Sequence, residues 1–238
     1  MSRSSHLKFD NSRAEEYGRQ ARIGLAGYDA CHELCACILS AAIPDRKAAS
    51  VLVVGAGGTG GEILAAAGLE PGWTFVAVDP SSAMLDLAKA QIEAAGIGSR
   101  VEFVCDLLSA VPEEAVFDAA LVIGVLHHIP DDEGKAELLG EIASRLQPSA
   151  PMVLGGNWRR YESEPLLLAA WANRWRMNGA EESEVQQKLA KIMNGAVPPE
   201  SEEKLETLLI DAGFEKPGRF FSSLFWGAWH TRRTGSQG

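Results

Sequence analysis

The sequence predicts an α/β protein whose doubly wound, mostly parallel sheet is covered by helices on both faces. Two observations carry this prediction. Five short apolar runs alternate with helix-like segments between residues 51 and 156, and apolar runs without polar alternation are typical of parallel strands buried on both faces. A cluster of glycines lies directly between the first run and the helix-like segment that follows it. Right-handed crossovers would then place the helices on the two faces of one sheet.

The strands and helices of this core follow one another in order along the chain. The predicted strands are VLVVG (51–55), WTFVAVD (73–79), VEFVCD (101–106), FDAALVIG (117–124) and APMVLGG (150–156). The predicted helices between them are GEILAAAGL (61–69), SSAMLDLAKAQIEAAGI (81–97) and a segment around 131–146. Ser81 or Ser82 is expected to cap the second helix at its start, and Gly96 is expected to cap it at its end.

Other segments flank or interrupt this alternation. Residues 11–43 have helix-like apolar spacing, and residues 161 to about 194 also run as helix-like sequence without a strand. The ending GFEKPGRFFSSLFWGAWHTRR contains two extended aromatic segments that are separated near Ser222 and Ser223. We therefore expect a single domain. Its predicted parts, within residues 1–238, are an N-terminal helical cap (1–44), a cofactor-binding α/β core (45–158), a helical insertion (159–197) and a C-terminal helix with strands (198–233).

Composition narrows the classes of function. The 238 residues carry a formal net charge of −10 and have a pI near 5.0, which argues against a broad, sequence-independent nucleic-acid surface. The N-terminus has no signal-peptide core, and no apolar window approaches the length of a membrane span. A cytoplasmic protein without a membrane partner is therefore expected.

The four cysteines also bear on the compartment. Cys31, Cys35 and Cys37 lie close together in YDACHELCACILSA, and Cys105 stands apart. We interpret them as small apolar residues rather than as a disulfide framework. Cys31, His32 and Cys35 could act as metal ligands, but no second cluster completes a tetrahedral set, and no metal is expected.

The glycine cluster carries the strongest functional signal. Gly55, Gly57 and Gly60 satisfy the pattern G-x-G-x-x-G between a strand and a helix, and Asp79 follows at the end of the next strand. Glycines let backbone N–H groups approach a ligand closely, and a carboxylate on the second strand accepts hydrogen bonds from ribose hydroxyls. Both a dinucleotide and S-adenosylmethionine contain such a ribose, and a plain tight turn is a third interpretation. The glycines alone leave this choice open.

Four further segments resemble the class I S-adenosylmethionine-dependent methyltransferases, which have a Rossmann-like fold. The segments are DPSSAML (79–85), VCDLL (104–108), VLHHIPD (125–131) and the pair GF (213–214). The resemblance implies S-adenosyl-L-methionine as cofactor, S-adenosylhomocysteine as product and an antiparallel C-terminal strand. The cofactor-binding residues that it implies are Gly55, Ala56, Gly57, Gly60, Asp79, Pro80, Met84, Asp106, Leu107 and Val125. The sequence departs from the family pattern at Val53, where an acid is usual, and by an extra glycine in the turn.

The chemistry that this resemblance implies needs little from the protein. The sulfonium methyl group is already activated, so the protein mainly aligns a nucleophile in line with it and excludes water. The N-terminal helical cap and the insertion are expected to form a lid over the acceptor. Candidate substrate residues are Tyr17, Tyr28, Trp158, Arg174 and Trp175, and the candidate catalytic bases are His127 and His128.

A subgroup can also be named. The N-terminal segment, the insertion LLLAAWANRWRMNGAEESEVQQKLAKIM and the C-terminal segment are similar to enzymes related to carboxy-S-adenosylmethionine synthase, which serve tRNA wobble-uridine modification. Their insertion supplies an arginine for the added carboxylate, whereas this chain has Leu189 there, between Lys188 and Lys191. We therefore expect ordinary methyl transfer to a small molecule. Synthesis of the carboxylated cofactor, an NAD(P)-dependent oxidoreductase and a non-catalytic cofactor-binding protein stay open, tRNA is a less favoured acceptor, and the resemblance points to a homodimer.

Overall fold

The computed structural model describes residues 11–43 and 47–235. Its seven strands form one sheet in the order β3-β2-β1-β4-β5-β7-β6. The first five are parallel, whereas β7 runs antiparallel to β5 and β6 runs antiparallel to β7. The strands are β1 (Ser50–Val54), β2 (Thr74–Val78), β3 (Val101–Val104), β4 (Ala119–Ile123), β5 (Pro151–Asn157), β6 (Gly218–Ser223) and β7 (Trp226–Arg232). The predicted doubly wound, mostly parallel sheet is confirmed.

Eight α-helices accompany the sheet within the described part of the chain. They are α1 (Asn11–Gly24), α2 (Tyr28–Ala42), α3 (Gly61–Leu69), α4 (Ser82–Ala94), α5 (Asp132–Ser144), α6 (Pro165–Met177), α7 (Glu182–Gly195) and α8 (Glu202–Asp211). The helix-like stretch predicted over residues 161–194 forms the two helices α6 and α7. Gly179 separates them with a φ of +87°, and reciprocal hydrogen bonds between Glu181 and Glu184 begin α7 as a capping box.

The strand order decides where a ligand can bind. Chain connections leave β1 toward β2 and β3 on one side, and the later strands β4 and β5 lie on the other side. In open α/β sheets the carboxyl ends of the strands part at such a reversal, and ligands bind in the crevice that results. The crevice between β1 and β4 is therefore the expected site.

Two hydrophobic layers cover the sheet, as the alternation of side chains along each strand requires. In β1, Leu52 and Val54 pack into one layer, and Val51 and Val53 pack into the other. The first layer includes residues of α5 and α8, and the second includes residues of α2, α3 and α4. Val53 is 1% exposed. An apolar residue is therefore compatible with its buried position, although the family resemblance places an acid there.

Local signals fix the helix ends close to the predicted positions. Ser81, rather than Ser82, caps α4 by accepting a hydrogen bond from the Met84 N–H at 3.4 Å. Gly96 follows the helix end at Ala95 and has a φ of +75°, which is the left-handed conformation that glycine adopts without strain. The aromatic ending turns at Leu224 (φ +52°), just beyond the predicted separation.

Three remaining expectations concern the whole chain. The predicted boundary between the cap and the core, at 44/45, and the first ten residues lie outside the described residues. Cys31 and Cys35 are buried in α2, Cys37 and Cys105 are exposed, and all four are free thiols. Over residues 11–43 and 47–235, no helix is both long enough and apolar enough to cross a bilayer.

Candidate functional site

The glycine turn lies between β1 and α3 at the carboxyl edge of the sheet. Gly55, Gly58 and Gly60 have positive φ angles of +73°, +111° and +63°, so the backbone conformation itself requires glycine. A Cβ atom on Gly55 would lie 2.3 Å from Val125, and one on Gly58 would lie 2.4 Å from the Tyr17 ring. The turn is thus enclosed by side chains of this chain, one of which belongs to the N-terminal helix α1.

Asp79 follows β2 and contacts the turn directly. Its Oδ2 accepts a hydrogen bond from the Gly57 N–H, and its Oδ1 accepts one from the Ser81 N–H, at 2.9 and 2.8 Å. Burial raises the pKa of Asp79, and the two backbone hydrogen bonds oppose that rise. Each carboxylate oxygen has two lone-pair sites. Asp79 therefore retains acceptor capacity after it has fixed the turn.

The other predicted cofactor residues lie along the same edge. Met84 and Val125 are buried, and Met84 accepts a backbone hydrogen bond from the Gly58 N–H at 2.9 Å. Asp106 is exposed after β3, and its Oδ1 accepts a hydrogen bond from the Leu107 N–H at 2.7 Å. The pKa of the Cys105 thiol is raised by desolvation and by the charges of Asp79, Asp86 and Asp106. Three carboxylates thus surround this end of β2 and β3.

The N-terminal helices are fastened to the glycine turn by polar contacts. The Tyr28 hydroxyl and Thr59 Oγ1 are 2.7 Å apart. His32 Nδ1 lies 2.8 Å from the Tyr28 carbonyl oxygen, and its Nε2 lies 3.5 Å from Glu62 Oε2 in a buried pair. Burial raises the pKa of Glu62, and the neighbouring His32 opposes that rise. These contacts join α2 to the turn and to the first residues of α3.

A cavity of about 350 Å³ opens beside the turn, beneath α1, α6 and α7. Its aromatic lining residues are Tyr17, Tyr28, Tyr161, Trp171, Trp175 and Trp226. Its polar lining residues are Gln20, His127, His128, Asn157, Lys188 and Lys191. The volume lies at the lower end of the range for small-molecule sites, which are typically about 300–1,000 Å³. The cavity is therefore of the right size for a compact organic molecule.

The structure brings five of the predicted substrate and catalytic residues to this cavity. Tyr17, Tyr28 and Trp175 line it from the lid, and His127 and His128 line it from the turn after β4. The two imidazole ring centroids are 4.3 Å apart, and the His127 ring meets Trp226 edge-on at 5.5 Å. His127 is buried, whereas His128 is partly exposed. These side chains are positioned together although they are distant in sequence.

Trp158, a predicted substrate residue, does not line the cavity. Asn157 at the end of β5 faces the cavity, and the next residue in an extended chain points the other way. Trp158 accordingly packs into the hydrophobic layer with Trp229, at a ring distance of 5.9 Å. The guanidinium of Arg159 lies 3.8 Å above its ring. Trp158 is therefore placed as a core residue.

Arg174 is also absent from the cavity lining. Its Nε donates to the Ile23 carbonyl oxygen at 2.8 Å, and its Nη2 donates to the Arg22 carbonyl oxygen at 3.0 Å. Both carbonyls belong to the last turn of α1, where helix carbonyls lack partners within their own helix. Arg174 thus fastens α6 to α1 instead of facing an acceptor.

This placement makes a testable prediction for Arg174. We expect Arg174→Ala to lower stability by about 1.5–3 kcal/mol, the range for hydrogen bonds to charged groups, and to leave the affinity for cofactor within about twofold. Thermal unfolding and calorimetric titration measure the two quantities. Exposed Arg176, which pairs with Glu182 on the surface, provides the control Arg176→Ala. A larger loss of affinity than of stability would instead assign Arg174 to the binding site.

The analysis of the sequence missed several cavity residues, among them Asn157, Tyr161 and Trp226. Asn157 is 6% exposed and donates from Nδ2 to the Tyr161 hydroxyl at 2.8 Å. Its position at the carboxyl end of a predicted parallel strand was a usable signal, because ligands bind at these strand ends. Trp226 becomes a lining residue only through the pairing of β7 with β5, opposite Asn157.

The cavity also predicts how the tyrosines titrate. Only three tyrosines occur in the chain, and all three line the cavity. Burial raises the pKa of Tyr17 to about 12 and raises those of Tyr28 and Tyr161 as well, from an ordinary value of 10.0. The folded state therefore holds more protons than the unfolded state above pH 10, and stability falls as pH rises.

We expect absorbance at 295 nm to detect almost no tyrosinate in the folded protein at pH 10, where about half of the tyrosines of an unfolded chain are ionised. The same titration in guanidinium chloride supplies the reference curve. A tyrosine that titrates near pH 10 in the folded protein would contradict the enclosed cavity.

The fold and the glycine turn define the class as a doubly wound, Rossmann-like α/β protein. Residues 51–149 match a family model that is described as a methyltransferase domain. No curated protein sequence matches the chain. The match covers β1 to α5, which contain the glycine turn, Asp79 and the histidine pair. Over this segment the chain is similar to a methyltransferase domain.

Several solved structures with the same fold are methyltransferases by name. A protein from Nostoc punctiforme, provisionally titled an O-methyltransferase, is 16% identical over 94% of this chain and 59% of its own, with a TM-score of 0.66. An O-methyltransferase family 2 protein from Planctomyces limnophilus, in complex with apigenin, is 18% identical over 78% and 50%, with a TM-score of 0.60. Human N-acetylserotonin methyltransferase, in complex with S-adenosylmethionine, is 17% identical over 84% and 51%, with a TM-score of 0.57.

These structural similarities concern the fold. At identities of 16–18% they show a shared fold. The chain spans about half to three fifths of the length of these structures. The cofactor, the acceptor and the reaction of this chain therefore have to be argued from its own residues.

Proposed function

We propose that the chain is an S-adenosylmethionine-dependent methyltransferase that transfers a methyl group directly to a small-molecule acceptor. One observation carries the proposal. The glycine turn with Asp79 lies at the same sheet edge as a cavity of about 350 Å³, and Tyr17 contacts the turn and lines the cavity. A cofactor held at the turn would thus lie beside an acceptor in the cavity.

The hydrogen bonds of the turn favour S-adenosylmethionine over a dinucleotide. The N–H groups of Gly55 and Ala56 donate to the Val78 carbonyl oxygen, that of Gly57 donates to Asp79, and that of Gly58 donates to the Met84 carbonyl oxygen. A pyrophosphate lying on the glycine turn would need free backbone N–H donors there, and these four are already used within the protein. S-adenosylmethionine has a ribose but no pyrophosphate. Asp79 can still accept hydrogen bonds from ribose hydroxyls, which suits this cofactor.

The residues of the chain have a limited set of tasks in this reaction. The cofactor supplies the activated methyl group. Asp79 and the turn hold the adenosine part, and the aromatic walls hold the acceptor and exclude water. His127 or His128 takes a proton from the acceptor where the nucleophile is an alcohol or amine, since a ring nitrogen of neutral imidazole can accept a proton. The four free cysteines agree with a cytoplasmic setting.

The proposal is tested by identifying the small molecule that stays bound to the purified protein. Mass spectrometry after denaturation should detect S-adenosylmethionine or S-adenosylhomocysteine, and calorimetry should measure binding of S-adenosylhomocysteine to the emptied protein. Retention of NAD(H), without binding of S-adenosylhomocysteine, would overturn the proposal in favour of an oxidoreductase. If the protein binds neither cofactor, the proposal is overturned and a non-enzymatic role is left for this fold.

Synthesis of the carboxylated cofactor is the alternative within the same cofactor class. Leu189, at the position of the subgroup's arginine, packs against the aromatic cluster of the lid and has no group for a carboxylate. Lys188 and Lys191, which precede and follow Leu189 in the sequence, line the cavity. Their ammonium groups could pair with the added carboxylate, so this alternative is tested as well. Detection of the carboxylated cofactor in the same mass spectrum would replace methyl transfer with this reaction.

A further inference from the structure

The charge of the cavity differs from that of the protein. The chain has a net charge of −10, yet the described residues that line the cavity include Lys188 and Lys191 and no aspartate or glutamate. Four other described lysines pair with carboxylates. Of the side chains that the structure describes, those of residues 16–43 and 47–235, none places a carboxylate within 4.0 Å of either cavity lysine. The cavity therefore has positive charge that its own described walls do not neutralise.

The contacts of Lys188 show how this charge is held. Its Nζ donates to Gln20 Oε1 at 2.9 Å, and this amide partner is neutral. The pKa of Glu16 is lowered mainly by hydrogen bonds from Arg19 and Gln20 and only lastly by the charge of Lys188. Glu16 pairs with Arg19 and does not line the cavity. Lys191, one helical turn further along α7, also lines the cavity. An anionic group in the cavity would meet both ammonium groups from one helix face.

A second, independent observation concerns Asn157. Its side chain is buried, and Nδ2 is bonded to Tyr161, but no group in the described part of the chain donates to Oδ1. A buried acceptor without a donor is costly and rare in folded proteins. Because Asn157 lines the cavity, a hydrogen-bond donor of a bound molecule would satisfy it.

The walls between these polar groups fit a flat ring. Trp171 and Trp175 stack on each other at 5.3 Å with an angle of 30° between their planes, and the Trp171 Nε1–H is fixed by the Gly24 carbonyl oxygen at 2.6 Å. Trp226 closes another wall. Rigid aromatic walls favour an aromatic ligand over a flexible chain.

We propose that the acceptor is an aromatic acid that carries a hydroxyl or amino group. Its acidic group lies beside Lys188 and Lys191, its ring lies among the tryptophans, and its donor lies beside Asn157. The inference rests on the proposed methyl transfer, because it names the substrate class of the same cavity. It also explains why the cavity has cationic residues although the protein is acidic.

The test uses calorimetry on protein saturated with S-adenosylhomocysteine. The probes are matched pairs of hydroxybenzoates, hydroxycinnamates and aminobenzoates with their primary amides, which differ from the acids in charge at one position. We expect at least one acid to bind about tenfold more tightly than its amide, and the preference to disappear in Lys188→Gln/Lys191→Gln. The surface lysines Lys89 and Lys216 provide the control Lys89→Gln/Lys216→Gln, which should keep the preference.

A second experiment tests the role of Asn157 as a hydrogen-bond acceptor, which is separate from the effect of the lysine charges. Asn157→Ala should weaken a hydroxylated acid about fivefold and leave benzoate and its preference over benzamide unchanged. Correct folding of each variant is checked by its affinity for S-adenosylhomocysteine. Equal loss of the hydroxylated and unsubstituted acids would contradict the role of Asn157 as the acceptor for their donor.

The outcomes separate this inference from the proposed function. Failure of S-adenosylhomocysteine to bind overturns the function, whereas binding of S-adenosylhomocysteine without any acid preferred to its amide overturns only the inference. A lysine-dependent preference for the carboxylated cofactor over S-adenosylmethionine, with no acid preferred, would assign the lysines to the cofactor. That result would also overturn the aromatic acid as their ligand.

Discussion

Asp79→Ala is expected to raise the dissociation constant of S-adenosylhomocysteine by about 5- to 150-fold, equivalent to about 1–3 kcal/mol. The physical reason is twofold. The substitution removes the carboxylate assigned to the ribose, and it removes the acceptor for the Gly57 and Ser81 N–H groups. Calorimetric titration of the purified variant measures the change directly.

The control for this experiment is a nearby carboxylate. Asp86 is exposed on α4 and is close enough to Cys105 to raise the pKa of its thiol together with Asp79. Asp86→Ala makes the same change in charge without removing a hydrogen-bond partner of the turn, and its affinity should stay within about twofold of the parent, as is usual for surface substitutions. Equal affinities of the two variants would refute the ribose role of Asp79.

The core could be predicted from the sequence because its signals are local. Each parallel strand is a continuous apolar run, and the glycine turn together with Asp79 identifies the binding edge from residue spacing alone. The same is true of Ser81 and Gly96, whose capping roles follow from their own chemistry. Such features need no knowledge of how distant segments pack, and the structure places all of them near their predicted positions.

The cavity could be predicted only in part because it depends on packing between distant segments. Arg174 was predicted to face the substrate from the lid, but the packing of α6 against α1 directs it to the Ile23 and Arg22 carbonyl oxygens. Trp158 and Asn157 are neighbours, and which of them faces the cavity depends on the register of one strand. No local pattern distinguishes these outcomes. The sequence analysis therefore predicted Trp158 as a substrate residue and missed Asn157.

Gly57, whose neighbour is the Asp79 carboxylate, makes the sharpest steric prediction for binding. A Cβ atom on Gly57 would lie 2.6 Å from both Asp79 Oδ2 and Met84 Cβ, and real Cβ atoms essentially never approach other atoms so closely. Because Met84 is buried, the carboxylate has to move. We expect Gly57→Ala to lower the free energy of unfolding by about 1–3 kcal/mol, as overpacking does. We also expect it to weaken S-adenosylhomocysteine binding by at least about tenfold, because the Asp79 carboxylate that is assigned to the ribose is displaced.

Gly140 supplies the matched control because a Cβ atom there meets nothing within 4 Å in the middle of α5. Gly140→Ala should therefore stabilise the protein by about 0.5–1 kcal/mol and leave binding unchanged. If Gly57→Ala acts by displacing Asp79, its effect on affinity should overlap with that of Asp79→Ala, and the double variant should bind no more weakly than Asp79→Ala alone. Additive losses in affinity would mean that Gly57 contacts the cofactor independently of Asp79.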